Sequence, residues 1–403
     1  MKILTIFIDA LRPGLLNLCD NTRPVSALDT CLKNVGGGGT FFTNCYTSAP
    51  DTPRSLACFW SSNYPRFNGC DSRAKYYAYY QNYDRPSFLS LMKNEGYTFN
   101  FYISEVRRLI GELPFLSSDS EHDNYSGDKT LEEYLRTLDV KDNSLTCFMF
   151  KDFHMILDDY FGQTKHLETK GLKIAADILE MINAKLGFDN FDMVILFSDH
   201  GFKLYEETFD TNLKYLGKPR TQIMMFVHKK GDTQFSCCNK LASIFDVYPT
   251  VLDFCGINYD KSKIEGIKLF SPEAHDMLMI EDYSKFYLDR NTRIEKWAVR
   301  TEKGLAACDY HQKWEAEYDI TDEEIAAFTS LLSKKSVSFD EIAKIERINN
   351  IYRTITPGAG GNALGNMFFD GKKRFRTKHY VMRRVLKKLQ KIKSLLPDII
   401  RGY

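Results

Sequence analysis

The chain has 403 residues, of which 43% are hydrophobic and 14% aromatic, enough to bury a large core together with a smaller appendage. Its 54 basic and 53 acidic side chains give a formal net charge of +1, so the composition as a whole points to neither a nucleic acid nor an acidic partner. Its 10 cysteines form no CxxC pair, which favours reduced thiols in a cytosolic protein over a disulfide framework.

Strand and helix signals alternate through roughly the first 260 residues. Short apolar runs predict strands at Ile3–Ile8, Tyr97–Ile103, Leu145–Phe150, Met193–Phe197 and Ile223–Val227. Amphipathic segments predict helices at Pro86–Gly96, Gly171–Leu186 and, for most of its length, Lys240–Phe254. This alternation predicts an α/β fold: a three-layer α/β/α sandwich around a mostly parallel central sheet.

The pattern changes after about Gly266. Shorter alternating segments, Trp297–Thr301 and Leu305–Tyr310, predict a small antiparallel subdomain packed on the main sheet. The run Pro357–Gly361 predicts a flexible linker. We therefore expect a core over residues 1–265, an α+β subdomain over 266–355 that completes it, and a linker with a basic tail over 356–403.

Two acidic residues lie at the carboxyl ends of predicted strands. Asp199-His200 comes after Met193–Phe197, and Asp9 ends the first strand. Open α/β sheets bind ligands at the carboxyl ends of their strands, and an Asp-His pair offers donors suited to Zn²⁺ or a similar transition metal. A polar strand cap is the alternative role for Asp199-His200, and a helix N-cap is the alternative for Asp9.

The segment Ser48–Ser55 joins small hydroxyl residues and prolines to the apolar run Leu56–Trp60. This pattern predicts a loop that enters a helix N-terminus, where free amides and the helix dipole attract an anion. A hydroxyl at that place, deprotonated by a metal, attacks phosphorus or sulfur. For this segment alone, an ordinary N-cap by Thr or Ser with a proline near the first helical position is the better explanation.

Together these segments resemble the alkaline phosphatase superfamily and, within it, the sulfatase-like branch. The resemblance covers about residues 1–325 and rests on several motifs in the family's order. The matching segments are Ser48–Ser55 through Tyr64-Pro65 for the nucleophile, Ser198–Gly201 for the metal-binding turn, Ile244–Ile257 for the helix after the core, and Ala298–Thr301 with Glu317–Ile320 for the carboxy-terminal strand pair. Ile8–Pro13 also looks like the first strand of nucleotide pyrophosphatase/phosphodiesterases.

The resemblance implies one divalent metal held by Asp9, Thr52, Asp199 and His200, with Zn²⁺ favoured and Ca²⁺, Mn²⁺ or Mg²⁺ as alternatives. Thr52 would be both ligand and nucleophile. In-line attack would give a covalent ester on Thr52, followed by transfer to water or to an acceptor.

The resemblance also suggests residues around this metal site. Arg54 or Lys203 would steady the anionic group during transfer. Asp152 and His154, which follow Leu145–Phe150, are candidates for a second metal or for substrate binding. Ordinary loop positions are the alternative for this pair.

Three positions depart from the sulfatase pattern. Thr52 stands where sulfatases carry a cysteine that becomes formylglycine, Ala10 replaces a second aspartate, and Ile103-Ser104 replaces a Gly-Lys pair. Threonine is the nucleophile of phosphodiesterases and phosphoethanolamine transferases in the superfamily, so we favour a phosphate ester as substrate for hydrolysis or transfer. A sulfatase acting on a sulfated glycan and a non-catalytic ligand-binding protein are the alternatives.

The tail Gly371–Tyr403 holds 12 Lys and Arg residues against one acid. Its apolar residues Val385, Leu389, Ile392 and Leu396 share one helical face. A basic amphipathic helix suits an anionic membrane surface, and docking on the domain is the alternative. Nucleic-acid binding is a third and weaker interpretation, because no recognition motif accompanies the charge.

Partners and location follow from these features. We expect a small-molecule or glycan ester as substrate, including a surface-glycan or lipid-linked one, and we expect no nucleic acid. The apolar run after Met1 is too short for a signal peptide, and no stretch reaches the roughly 18 apolar residues that span a bilayer. We therefore expect a cytoplasmic protein, with peripheral attachment to the inner face of the membrane through the tail.

Overall fold

The computed structural model describes residues 1–34, 37–68, 85–104, 124–126, 129–159, 164–204, 207, 210–285, 293–309 and 313–334. The chain divides into two compact units, Met1–Ser338 and Phe339–Tyr403, and every described residue belongs to the first. The predicted linker and the basic tail 371–403 lie outside the described residues. The boundaries expected after residues 265 and 355 stay predictions.

The strands are numbered along the chain: β1 (Lys2–Ile8), β2 (Gly39–Phe42), β3 (Cys45–Tyr46), β4 (Thr98–Ile103), β5 (Asn124–Tyr125), β6 (Ser144–Phe150), β7 (Met193–Phe197), β8 (Met225–Lys229), β9 (Phe235–Cys238), β10 (Ala242–Ser243), β11 (Met277–Lys285), β12 (Arg293–Thr301), β13 (Leu305–Asp309) and β14 (Trp314–Ala316). The α-helices are α1 (Ala27–Asn34), α2 (Thr52–Ser61), α3 (Pro65–Asn68), α4 (Phe88–Asn94), α5 (Leu131–Thr137), α6 (Asp152–Asp159), α7 (Thr164–His166), α8 (Leu172–Leu186), α9 (Asn212–Tyr215), α10 (Lys218–Thr221), α11 (Val247–Phe254) and α12 (Asp322–Lys334). A π-helical turn, Leu167–Gly171, joins α7 to α8, and short 3₁₀ turns occupy Pro13–Leu15, Phe188–Asn190, Ile244–Asp246 and Lys261–Lys263.

The main sheet has eight strands in the order β5-β4-β6-β1-β7-β8-β2-β9. Neighbouring strands run parallel except at β8, which is antiparallel to both β7 and β2. The prediction of a mostly parallel sheet is therefore confirmed. Strand β1 lies between β6 and β7, with Ile8 opposite Phe150 and Phe7 opposite Phe197, so the carboxyl ends of these strands meet at one edge.

Both faces of the sheet are covered, which confirms the three-layer arrangement. Along β1, Ile3 and Phe7 belong to one hydrophobic cluster, whereas Leu4, Ile6 and Ile8 belong to a second. Because successive side chains of a strand point to opposite faces, the two clusters lie on opposite sides of the sheet. The continuous apolar runs that mark these strands in the sequence follow from burial on both faces.

A separate antiparallel sheet, in the order β11-β12-β13-β14, confirms the small carboxy-terminal subdomain. Its two faces pack differently: Ile280, Ala298 and Leu305 join Leu216, whereas Val299 and Ala306 pack against Phe328 of α12. Strand β11 also reaches the main core, because Leu278 and Met279 belong to one of its clusters.

Two predicted elements need correction. The segment Lys240–Phe254 becomes helical only at Ile244, because Ala242–Ser243 pairs in parallel with Cys45–Tyr46 before the chain turns. The strand predicted at Ile223–Val227 begins two residues later and runs to Lys229.

Two further properties concern the cysteines and the length and polarity of the helices. The nine cysteines in the described part of the chain are free thiols. Among the described helices, none is long and apolar enough to cross a membrane.

Candidate active site

The acidic residues of the site follow β1 and β7, two neighbouring strands of the main sheet. The backbone N–H of Asp9 donates to the Phe150 carbonyl at 2.8 Å, which extends the ladder between β1 and β6 by one residue. Asp199 Oδ1 accepts the backbone N–H groups of Ala10, at 3.0 Å, and His200, at 2.8 Å. Since one of these donors belongs to the loop after β1, the two strand ends are tied together through a side chain.

Thr52 is the first residue of α2, which packs against the same edge. Asp51 is the N-cap of this helix, and its carboxylate accepts the backbone N–H of Arg54. From the first turn, the Ser55 hydroxyl donates to the Asp199 carbonyl at 2.6 Å. These contacts place the Thr52 hydroxyl oxygen 3.3 Å from Nε2 of His200.

Asp9, Asp199 and His200 each present one ligand atom, and these atoms lie within 4.8 Å of one another. No more than 9% of any of the three residues is exposed. Among the described residues, no other set of three His, Cys, Asp or Glu side chains comes together in this way. The structure therefore brings together all four residues of the predicted metal set, since Thr52 adjoins His200.

The chemistry of this cluster fits a divalent cation. His200 Nδ1 lies 2.6 Å from the Gly201 carbonyl, which can only accept, so Nδ1 carries a proton and a neutral imidazole presents the Nε2 lone pair to the cluster. Within the described part of the chain, Asp199 Oδ2 is buried and accepts no hydrogen bond, a costly state for a carboxylate oxygen without a cation. Two carboxylates, one imidazole and one hydroxyl form a donor set that accommodates Zn²⁺.

The turn after His200 is held by close backbone contact with α10. A Cβ atom added at Gly201 would lie 2.2 Å from the Pro219 carbonyl oxygen, so only glycine fits there. The Gly201 N–H donates to the Arg220 carbonyl at 2.9 Å. The glycine of the Ser198–Gly201 motif is thus required by packing against a segment that follows it in sequence.

The two predicted anion-binding cations occupy different environments. Lys203 is exposed on the segment after His200. Arg54 is completely buried and pairs with both Asp51 and Asp282, the latter at 2.7 Å. Burial alone would lower the pKa of Arg54, but the two carboxylates raise it above its usual value. Direct contact of either cation with a substrate anion stays a prediction.

Asp152 and His154 lie in the first turn of α6, which begins just after β6 at the same edge of the sheet. Both are partly buried, and in the described structure neither joins the three-residue cluster. Their role in a second metal site stays a prediction.

Sequence reasoning did not identify Asp282 or Arg220 as part of this region. Asp282 lies in β11 and receives hydrogen bonds from Arg54, Arg220 and the Tyr215 hydroxyl. No local pattern marks these residues, because their partners are distant in the chain. The N-cap residue Asp51, by contrast, was detectable from its place before Thr52-Pro53.

The fold was compared with known proteins. A scan against protein families and a search of curated proteins find no match. Among solved structures, a 2-O GAG sulfatase aligns with a TM-score of 0.62 and 14% identity over 93% of each chain. A putative sulfatase from Bacteroides thetaiotaomicron aligns with a TM-score of 0.61 and 13% identity, over 88% of this chain and 92% of its own. The phosphonate monoester hydrolase of Agrobacterium radiobacter aligns with a TM-score of 0.54 and 11% identity, over 83% of this chain and 94% of its own.

The fold is that of the sulfatases and other members of the alkaline phosphatase superfamily. The superfamily resemblance seen in the sequence motifs is thereby confirmed at the level of the fold. The three alignments cover 83–93% of this chain and 92–94% of the other chains.

Proposed function

We propose that this protein is a metal-dependent ester hydrolase in which Thr52 is the nucleophile. The observation that carries the proposal is the buried cluster of Asp9, Asp199 and His200 beside the Thr52 hydroxyl. Each of these side chains follows a strand end or begins a helix at the same edge of the sheet, where α/β enzymes bind their ligands.

The residues have distinct tasks in this proposal. Asp9, Asp199 and His200 would hold the cation, and Thr52 lies at the start of a ten-residue helix whose positive dipole end favours an anionic ester. A bound divalent cation supplies Lewis-acid stabilisation of the ester oxygens and lowers the pKa of a coordinated hydroxyl. The Thr52 oxygen loses its proton and attacks the phosphorus or sulfur atom, while the bond to the alcohol oxygen breaks and the alcohol leaves with a proton. Water then attacks the covalent ester on Thr52, which releases the anion and returns a proton to the Thr52 oxygen.

Two observations favour different ester classes. Sulfatases are prominent among the structural neighbours, and this favours a sulfuric ester of a glycan, the alternative considered from sequence. Thr52, in the place of the cysteine of sulfatases, favours a phosphoric ester instead. We place the sulfuric ester first because the sulfatases among the structural neighbours align over most of this chain. The phosphoric ester, hydrolysed or transferred, is the second candidate.

The remaining functional expectations belong to the proposal as well. Zn²⁺ is the favoured cation on the mixed oxygen and nitrogen donor set. Attachment to an anionic membrane surface through residues 371–403 is a separate proposal, carried by the sequence of the tail. The cytoplasmic location stays an expectation from the cysteine content.

The test is turnover of paired chromogenic esters: 4-nitrophenyl sulfate, 4-nitrophenyl phosphate, bis(4-nitrophenyl) phosphate and a phosphonate monoester, each with Zn²⁺ present. We expect Thr52→Ala to lower kcat about 10³-fold or more, because the attacking atom is lost. Mass mapping of acid-quenched wild-type protein should find the transferred group on Thr52.

Thr30→Ala is the matched control, since this exposed hydroxyl of α1 donates to the Ser26 carbonyl at 3.3 Å and takes no part in the contacts described at the site. It should keep wild-type turnover. Full activity of Thr52→Ala would refute the nucleophile. Stoichiometric metal binding without turnover of any sulfate, phosphate or phosphonate ester would favour the non-catalytic alternative.

A further inference from the structure

We propose that Asp282, from the small antiparallel sheet, is a positioning residue. By binding Arg54 and Arg220 it fixes the segment Ser48–Asp51, which leads into Thr52. The inference rests on the proposed function of Thr52. It assigns to the carboxy-terminal subdomain a direct part in arranging the nucleophile.

The first observation is a buried network of alternating charges. Asp282 Oδ1 accepts from Arg54 Nη2 at 2.7 Å, and Asp282 Oδ2 accepts from the Tyr215 hydroxyl at 2.6 Å and from Arg220 Nη1 at 3.3 Å. The side chains of Arg54 and Asp282 are 0% and 2% exposed. Charges so far from water must be balanced by partners, and these two depend on each other.

The second observation is that the network contacts the segment before Thr52, Ser48–Asp51, at several points. Arg54 binds the carboxylate of Asp51, the residue that caps α2 immediately before Thr52. Arg220 Nη2 donates to the Pro50 carbonyl at 3.3 Å. Arg54 and Arg220 both bind Asp282. Arg54 also contacts Asp51, and Arg220 also contacts Pro50, and these are the two residues that precede Thr52.

Backbone contacts bring β11 to the same loop. The Glu281 N–H donates to the Ser48 carbonyl at 2.9 Å, and the Glu281 carbonyl accepts from Arg54 Nη1 at 3.3 Å. Strand β11 thus holds the loop at Ser48 and, through Arg54, at Asp51. The Arg220 carbonyl in turn accepts the N–H of Gly201, next to the candidate ligand His200.

The electrostatics agree with this geometry. Burial by itself would raise the pKa of Asp282, but Arg54, Arg220 and the Tyr215 hydroxyl hold it well below its usual value. The carboxylate is therefore charged at neutral pH and attracts both guanidinium groups. If Asp282 is neutralised, Asp51 is the one carboxylate of the described network that remains to balance the guanidinium groups of Arg54 and Arg220.

The experiment compares Asp282→Asn with the wild-type protein in turnover and in hydrogen–deuterium exchange. We expect kcat to fall about 10- to 100-fold while KM changes less than about threefold, since misplacement of a reacting group affects mainly the chemical step. The amides of the peptide that contains Ser48–Arg54 should exchange faster, and the Zn²⁺ stoichiometry should be unchanged.

Asp246→Asn is the matched control. Asp246 is also a buried aspartate, and it receives hydrogen bonds from the Ser243 and Ile267 amides and from His275. Its loss should lower stability and speed exchange around Ser243 and Ile267, with kcat and the Ser48–Arg54 peptide unchanged. A purely structural role of Asp282 would instead give the two variants the same kinetic profile, and this result would overturn the inference.

Tyr215→Phe keeps the charge of Asp282 and removes one hydrogen bond, so it decides the question if Asp282→Asn does not fold. It should lower kcat in the same direction by a smaller factor, and wild-type kcat together with wild-type exchange of Ser48–Arg54 would contradict the proposal. If the wild-type protein turns over no ester, the proposed function fails, while the exchange comparison between Asp282→Asn and Asp246→Asn still decides whether Asp282 fixes the loop.

Discussion

The Nε2 atom of His200 lies 3.3 Å from the hydroxyl oxygen of Thr52, although 148 positions separate the two residues in the chain. The contact exists because β7 ends, and α2 begins, at the same edge of the main sheet. The Ser55 hydroxyl donates to the Asp199 carbonyl and ties the helix to the turn that follows β7. A group held by His200 would therefore have the Thr52 hydroxyl, the proposed nucleophile, beside it.

Replacing Asp199 by Asn should abolish tight metal binding. The substitution keeps an oxygen to accept the N–H groups of Ala10 and His200, but an amide nitrogen takes the place of the buried Oδ2. Wild-type protein at a metal concentration about 100 times Kd should gain about 2.7 kcal/mol in unfolding free energy, and the variant should gain little. Metal analysis and thermal unfolding with and without chelator measure this, and equal metal content in both proteins would contradict the assignment.

Substituting Gly201 by Ala should destabilise the protein. The new Cβ would meet the Pro219 carbonyl oxygen at 2.2 Å, and backbone cannot yield as a flexible side chain does. We expect a loss of about 1–3 kcal/mol in unfolding free energy together with weaker metal binding. Gly14→Ala is the control, because nothing lies within 4 Å of its added Cβ. Urea titration of both variants measures the difference, and equal midpoints would show that the turn can relax.

Replacing Ala10 by Gly should stabilise the fold. Ala10 has a φ of 61°, in the left-handed region, where it aims its N–H at Asp199. Glycine adopts this conformation without the steric cost of a Cβ, so we expect a gain of about 1 kcal/mol. The same change at Ala176, buried within α8, should cost about 1 kcal/mol or more. A loss of stability in Ala10→Gly would show that the methyl contacts outweigh the strain.

The stability of the protein should depend on Asp282 at acid pH. Because its folded-state pKa lies below the ordinary value of 3.8, the folded protein binds fewer protons at this site than the unfolded chain. The stabilisation is complete above the unfolded-state pKa and is lost as the pH falls towards the folded-state pKa. Below about pH 5, the wild-type midpoint of thermal unfolding should therefore fall more steeply with decreasing pH than that of Asp282→Asn.

Asp20→Asn gives the comparison for a carboxylate in water. The pKa of Asp20 is also lowered, chiefly by hydrogen bonds from Thr22, but the group is exposed. Its substitution should leave the pH dependence of the thermal unfolding midpoint at acid pH close to that of the wild type, because solvent screens such interactions. The prediction would be contradicted if the midpoints of thermal unfolding of the wild type and Asp282→Asn fell equally steeply with decreasing pH.

Several elements were readable from the sequence because their signals are local. The strand Met193–Phe197 was predicted at its observed bounds, since a continuous apolar run records burial on both faces. Asp9 and Asp199-His200 were expected at one edge because parallel strands end together. The helix predicted for most of Lys240–Phe254 begins only at Ile244, because Ala242–Ser243 pairs with Cys45–Tyr46.

The sequence by itself thus determined the α/β class, the central strands and the candidate residues that follow them. Only the tertiary structure decided the antiparallel placement of β8, the Gly201–Pro219 contact and the pairing of Arg54 with Asp282, 228 positions apart. The physical reason is that burial and helix capping leave their pattern in neighbouring residues. The partner of a buried charge is chosen by how distant segments pack, and no local pattern records that choice.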